Sequence, residues 1–168
     1  MKGLPRSLGR AEQFTLMNAT VRVKDLSVSV ADGAPGFGTA VIAGLPSKNI
    51  LFLGAVAYLQ FFTSDADITA TFDGDFAIGT VPTANNSLAD AGDADIVPST
   101  AMGAATAKLS PVIRGASTDA LGGLIIDNTA GTLELNLNVL IDDAAISGAA
   151  IFTVNGAVHL AYTILGDD

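Results

Sequence analysis

The sequence predicts an all-β domain of about eight to ten short antiparallel strands, arranged as a sandwich or a barrel. Turn signals rich in glycine, proline, asparagine and aspartate recur at roughly 8–12-residue spacing, which is typical of these folds. The clearest strand lies between Thr132 and Ile141, where apolar and polar residues alternate with a period of two. Asn155-Gly156, between two β-rich runs, predicts a two-residue hairpin turn.

The chain begins with a basic arm, residues 1–13, that has no periodicity. Six of the eight basic residues lie within residues 1–48, whereas the remainder of the chain is strongly acidic. We expect the arm to be ordered only when a partner binds it. The β-domain is predicted to span residues 14–168 as a single domain.

Several further strands are predicted along the domain. The valine alternation slips its phase at Lys24-Asp25, which predicts either a β-bulge or a turn between two short strands. Residues 39–43 predict a short strand, and residues 49–62 predict a strand buried on both faces. Asp73-Gly74 predicts a second hairpin. The irregular residues 83–118 are expected to contain short strands and a surface that faces a partner.

The composition excludes several classes of chemistry. The chain of 168 residues has no cysteine, which removes disulfides, thiolate metal sites and cysteine nucleophiles. A net charge of −9 makes nucleic-acid binding by the domain unfavourable. The mostly apolar segment at residues 50–62 is too short to span a bilayer, so no membrane segment is predicted. Only 15% of the residues are charged, which favours a surface that meets partners.

His159 is the one histidine of the sequence. A two-residue turn at Asn155-Gly156 would pair Val154 with Ala157 and therefore Phe152 with His159 across the hairpin. No activated-serine motif accompanies His159, so it is interpreted as a cross-strand partner of an aromatic ring. The hairpin face with Phe152 and His159 would be small and apolar, which predicts that another protein surface covers it.

Pairs of aspartates recur, as at Asp65/Asp67, Asp73/Asp75 and Asp142/Asp143. Such carboxylates can bind Ca²⁺, but none follows the twelve-residue calcium loop, and aspartate is also common in turns. We therefore predict no metal and no cofactor. Neither phosphate-binding loops nor the aromatic platforms of a glycosidase are found, so we expect no enzymatic activity.

The chain resembles small virion proteins of tailed bacteriophages, and more narrowly their capsid decoration, or cement, proteins. The resemblance rests on SDADITATFDGDFAIGTVPT at residues 64–83, DADIVPSTAMG at 93–103 and IIDNTAGTLELNLNVLIDD at 125–143. It covers most of the chain as a similarity of small, Ala/Gly/Thr/Asp-rich strands without cysteine. It implies a jelly-roll-like β-sandwich, without catalytic residues or cofactor, that bridges major capsid subunits on the outer capsid surface, frequently as a homotrimer.

The resemblance also implies that an N-terminal arm contacts the capsid. The residues expected to contact partners are therefore Lys2, Arg6 and Arg10 of the arm, together with Phe152 and His159 of the hairpin. Two alternatives remain at this point. The chain is another virion component, such as a tail, head-fibre or adaptor protein, or it is a Ca²⁺-dependent module that binds carbohydrate or a receptor.

Overall fold

The computed structural model of the protein describes residues 16–117 and 124–165. The predicted arm, with Lys2, Arg6 and Arg10, lies outside the described residues. Within them, nine strands follow one another along the chain: β1 (Met17–Ala31), β2 (Gly36–Gly44), β3 (Asn49–Phe62), β4 (Gly74–Gly79), β5 (Val97–Ala101), β6 (Ile113–Ala116), β7 (Leu124–Asp127), β8 (Glu134–Ile141) and β9 (Ala150–Leu165). A turn of 3₁₀ helix, Asp143–Ala145, lies between β8 and β9.

The strands form a continuous sheet in the order β5-β4-β8-β2-β1-β9-β3-β6, with β7 also pairing with β3. These pairings are antiparallel. The sheet curls until its two edges almost meet, since a Cβ on Gly115 of β6 would lie 2.8 Å from Val97 Cγ1 of β5. The prediction of an all-β, jelly-roll-like sandwich is confirmed.

The core fills the space inside this curled sheet. Its largest fully buried side chains include Phe61, Phe72, Phe76 and Phe152. The rings of Phe72 and Phe152 meet edge-on with centroids 5.0 Å apart, and those of Phe61 and Phe76 lie 5.7 Å apart. Each such ring contributes about 1.5–3 kcal/mol by leaving water. Because β3 and β4 are far apart in the sheet order, the contact of Phe61 with Phe76 joins its two sides.

The predicted Asn155-Gly156 hairpin is wrong. The two residues lie in the middle of β9, a continuous strand of 16 residues. β9 pairs with β1 from Met17↔Tyr162 to Val30↔Ala150, and on its other side with β3. Gly156 has a φ of 150°. This conformation belongs to a place where β3 lies very close alongside β9, and not to a turn. A Cβ there would overlap the carbonyl oxygen of Tyr58 on β3.

The phase slip in β1 is a β-bulge, one of the two predicted possibilities. The register of β1 with β9 shifts between Val23 and Leu26, and Asp25 adopts a φ of 49°. The backbone N–H of Asp25 donates to Asn155 Oδ1 at 2.8 Å. The bulge therefore lies opposite Asn155-Gly156, so both irregular local signals belong to one feature of the β1–β9 pairing.

Two other predicted elements differ from the structure. β3 is not buried on both faces, because alternate residues such as Leu53, Tyr58 and Phe62 are exposed. Asp73-Gly74 does not form a hairpin, since the residues before Gly74 form turns and an isolated bridge, and β4 pairs with β5 and β8. In both cases the local pattern does not specify which strand lies alongside.

The polar side of β8 is also buried, although its alternation predicts a half-exposed strand. Asn138 is fully buried beneath the loop that follows β4. Its Oδ1 accepts from Thr39 Oγ1 at 2.8 Å and from the Thr83 N–H at 2.9 Å. Its Nδ2 donates to the carbonyls of Val81 at 2.9 Å and Asp93 at 2.8 Å. Every hydrogen-bonding position of this amide is filled, and the loop is thereby fixed to the sheet.

We predict that Asn138→Ala lowers the free energy of unfolding by about 2–4 kcal/mol, because several backbone groups of the loop lose their buried partner. Chemical denaturation monitored by circular dichroism measures the change. Asn18→Ala, at an exposed position of β1, is the control and should stay within about 0.5 kcal/mol of the native value. A loss of similar size in both variants would contradict the anchoring role of Asn138.

We also predict that Gly156→Ala destabilises the fold by about 1–3 kcal/mol, because the new methyl group would overlap the Tyr58 carbonyl of β3. The matched control is Gly44→Ala at the end of β2, where an added Cβ meets nothing within 4 Å. Denaturation midpoints of the two variants make the comparison. If Gly156→Ala is as stable as Gly44→Ala, β9 does not approach β3 at Gly156 as closely as described.

Candidate docking surface

The solvent-facing side of β1, β9 and β3, continued by β6 and β7, is hereafter called the outer face. Cross-strand register arranges its side chains in rows. One row runs Thr20–His159–Val56–Ala116, and the next runs Arg22–Ala157–Tyr58–Arg114. A continuous β9 is what brings these residues together, because its odd-numbered residues from Ile151 to Ala161 all face outward.

His159 lies at the centre of the outer face. Its Nδ1 is 3.0 Å from Thr20 Oγ1, so the hydroxyl of β1 and the imidazole of β9 share a hydrogen bond. On the other side, the Tyr58 ring of β3 meets the imidazole edge-on with centroids 6.2 Å apart. These two neighbours hold the ring in place while leaving it exposed to a partner.

A shallow groove of about 440 Å³ runs beside His159. Small residues form its floor, namely Gly54, Ala116 and Ala161, and we call it the small-residue groove. Asn18 and Arg114 lie at its rim. Because small side chains leave the strands uncovered, the groove can accept a protruding loop of another molecule against the sheet.

Apolar side chains flank this centre along the strands. Toward one end, Leu16, Leu53 and Ile125 are 47–60% exposed, and Leu51 and Leu165 complete the same apolar band. Toward the other end lie the exposed side chains of Phe62, Leu109 and Ile151. Most of the exposed large apolar residues in the described ranges thus belong to one side of the molecule. Such a concentration is characteristic of an interaction site.

The charged side chains of the described residues include two groups that bear on docking. Arg22 and Arg114 project from the outer face, and neither has a hydrogen-bond or ion-pair partner within residues 16–117 and 124–165. Seven of the thirteen carboxylates of the described residues lie at the end of the sheet where β8 ends and β4 begins, which we call the acidic end. It comprises Asp32, Asp65, Asp67, Asp73, Asp75, Asp142 and Asp143. Lys108 lies there too, where its ammonium donates to the Asp65 carbonyl.

The structure separates the two predicted contact residues of the domain. His159 is exposed on the outer face, as a contact residue must be. Phe152 lies on the opposite face of β9, is fully buried and packs on Phe72, so it offers no surface to a partner. The pairing of Phe152 with His159 is therefore wrong, for the same reason that the hairpin is wrong. Sequence reasoning did not find Arg22, Tyr58 and Arg114, because only the register of β1, β3 and β6 brings them to this face.

A second cavity, of about 330 Å³, lies at the end of the sheet opposite the acidic end. Apolar side chains such as Leu45, Phe52 and Leu160 line it, and Tyr162 borders it.

No group of three or more His, Cys, Asp or Glu residues is placed to hold a metal ion in the part of the chain that the structure describes. Nor does any helix there have the length and apolarity needed to cross a bilayer.

The acidic end carries unfavourable charge. Partial burial, followed by the neighbouring carboxylates of Asp73 and Asp75, raises the pKa of Asp142 above its ordinary value. The pKa of Asp127, at the opposite end of the sheet, is shifted in the other direction. Hydrogen bonds from the Thr129 N–H at 3.0 Å and from its hydroxyl at 2.8 Å lower the pKa of Asp127.

These shifts predict opposite pH dependences for two variants. A raised pKa means that the native state gains stability from a protonated Asp142 in acid and loses it as the pH rises through the native pKa. Asp142→Asn should therefore raise the melting temperature near neutral pH, with little difference at acid pH. Asp127→Asn should lower it near neutral pH, because its native carboxylate is the favoured form. Melting curves across pH that show the same sign for both variants would contradict this assignment.

Comparison with known proteins gives no family. No protein-family model matches the chain, and no curated protein matches it. Among solved structures, a chain from the structure of infectious bursal disease virus Gx strain is 16% identical, with a TM-score of 0.43, over 92% of this chain and 34% of that chain. The corresponding Gt-strain structure gives 15% identity and a TM-score of 0.36, over 91% and 33%. The protein spans about a third of the length of these viral chains, and similarity this low supports no inference about its function.

Proposed function

We propose that the protein is a non-enzymatic virion structural protein that binds the outer surface of a phage capsid and stabilises it by bridging major capsid subunits. The observation that carries the proposal is the outer face. It combines exposed apolar side chains, a small-residue groove and two arginines in a chain whose net charge is −9. A surface of this composition suits protein contact, and a clamp needs complementary surface but no reaction.

The sequence resemblance of residues 64–83 and 125–143 to tailed-phage decoration proteins supports a virion as the setting of that contact. Many copies on one shell add their contacts by avidity, so a modest affinity per copy is sufficient to strengthen a capsid. The same resemblance supports a homotrimer as the unit that binds.

The arm supplies the second part of the proposal. Residues 1–13 carry Lys2, Arg6 and Arg10 and the single acid Glu12, whereas the described domain is rich in carboxylates. A basic segment joined to an acidic domain suits attachment to an acidic partner surface, with an attraction that added salt weakens. We propose that the arm grips the capsid while the domain lies on its surface.

We predict that the full chain binds saturably to capsids assembled without it and raises the temperature at which they break. Cosedimentation measures the binding, and release of packaged DNA on heating measures the stabilisation. Arg6→Ala/Arg10→Ala should weaken binding about fivefold or more, since each charge contact contributes roughly 0.5–1 kcal/mol. Deletion of residues 1–13 should weaken it further without changing the circular dichroism of the domain.

The control for the arm variants is Lys48→Ala, which removes a basic residue from the domain instead of from the arm. It should bind capsids as the native chain does. Equal binding by the native chain and the arm deletion would reject the role of the arm. Absence of saturable binding by the native chain would reject capsid attachment altogether, and binding to tails would place the protein elsewhere in the virion.

A further inference from the structure

The charges of the described domain are arranged so that one molecule complements another. The outer face presents Arg22 and Arg114 beside an uncovered groove. At the acidic end, desolvation of the carboxyl group and then repulsion from the Asp73 and Asp75 carboxylates raise the pKa of Asp142. The outer face therefore offers two arginines that have no hydrogen-bond or ion-pair partner among the described residues, whereas the acidic end offers seven carboxylates against the single ammonium of Lys108.

We propose that the outer face binds the acidic end of a second copy of this chain, head to tail, with the exposed turn that begins at Asp142-Asp143 seated at the small-residue groove. This contact concerns copies of the chain alone, and where it occupies the outer face, attachment to a capsid rests on the arm. It would place carboxylates of one copy beside Arg22 and Arg114 of the next, where each charge gains an opposite partner.

The shape of the two regions supports this occupant. The turn between β8 and β9 is a short projection in which Asp142, Asp143 and Ala144 are all exposed. The groove is open and its floor is made of Gly54, Ala116 and Ala161, so a narrow loop can approach the strands closely. The apolar bands on either side, with Leu53 at one end and Phe62 at the other, add area that is favourable to bury.

Charge also selects head-to-tail contact over the symmetric alternatives. Two outer faces packed against each other would bring Arg22 and Arg114 of both copies into one interface. Two acidic ends in contact would bring carboxylates together in the same way. Juxtaposed like charges are unfavourable, whereas packing the face against the end pairs opposite charges. A head-to-tail contact leaves one face and one end free, and it closes into a ring when the rotation between copies permits.

The test uses the full chain in analytical ultracentrifugation over a range of concentrations, at low and high salt. Native protein should associate, and salt should weaken the association. Arg22→Glu/Arg114→Glu should lower the association constant at least about tenfold, and Asp142→Lys/Asp143→Lys should do the same. The variant that carries all four changes should recover association, because the charges are exchanged and not lost. Lys48→Glu, a charge reversal outside the face, is the control.

A second pair of variants tests the geometry without relying on charge at the face. Ala161→Trp fills the groove, whereas Val41→Trp adds the same bulk at an exposed position of β2 outside the face. Ala161→Trp alone should be monomeric, and Val41→Trp should behave as native. A mixture of Ala161→Trp with Asp142→Lys/Asp143→Lys should give a one-to-one complex and nothing larger, because only one face and one end remain intact.

Circular dichroism of each variant establishes that it is folded before its association is compared. A native chain that stays monomeric at low salt overturns the proposal. Continued association of Asp142→Lys/Asp143→Lys alone also overturns it, because that result means face packs on face. Failure of the folded four-residue exchange to associate is equally decisive against it. Capsid binding is measured separately, so a failure here does not decide the proposed virion role.

Discussion

The pairing of β9 with β1 on one side and β3 on the other is the constraint on which the rest of the structure depends. Its central residues, 153–162, have neighbours on both sides except at Asn155, so the even-numbered residues from Ala150 to Leu160 other than Gly156 enter the core and the odd-numbered ones face out. One arrangement therefore creates both the core that contains Phe152 and the surface that contains His159. A one-residue slip would exchange the two sets, which the fully buried Phe152 and Val154 make very unfavourable.

Local periodicity predicted a good part of this fold. The alternation over residues 132–141 corresponds to β8, and the phase slip at Lys24-Asp25 corresponds to a bulge. Asn155-Gly156 predicts a hairpin because a glycine can adopt the positive φ of a tight turn. The same freedom suits the close approach of two paired strands equally well. Only the strands alongside distinguish the two, and both are remote in sequence. Asn138 shows the same limit of local patterns. The alternation along β8 predicts an exposed amide at this position, but a loop that is distant in sequence covers it.

The candidate surface was predictable only in part for the same reason. His159 could be singled out as the one histidine, but Thr20, Tyr58 and Arg114 join it through register and not through sequence spacing. The separation of Arg22 and Arg114 from the acidic end is likewise a property of the folded chain, because Arg22 lies only ten residues before Asp32, on a strand that continues as far as Ala31. The net charge predicts an acidic protein, whereas the fold shows that Arg22 and Arg114 lie together on one face.

Our inference is that β9 exposes one face for docking and buries the other. Because the sequence has no cysteine, it can be tested by thiol labelling of His159→Cys and Phe152→Cys in the full chain, first dilute and then concentrated at low salt. We predict rapid labelling at position 159 in dilute protein and its protection on association, with position 152 protected in both states. Comparable labelling at both positions in the dilute folded protein, or no protection of position 159 once copies associate, would contradict it.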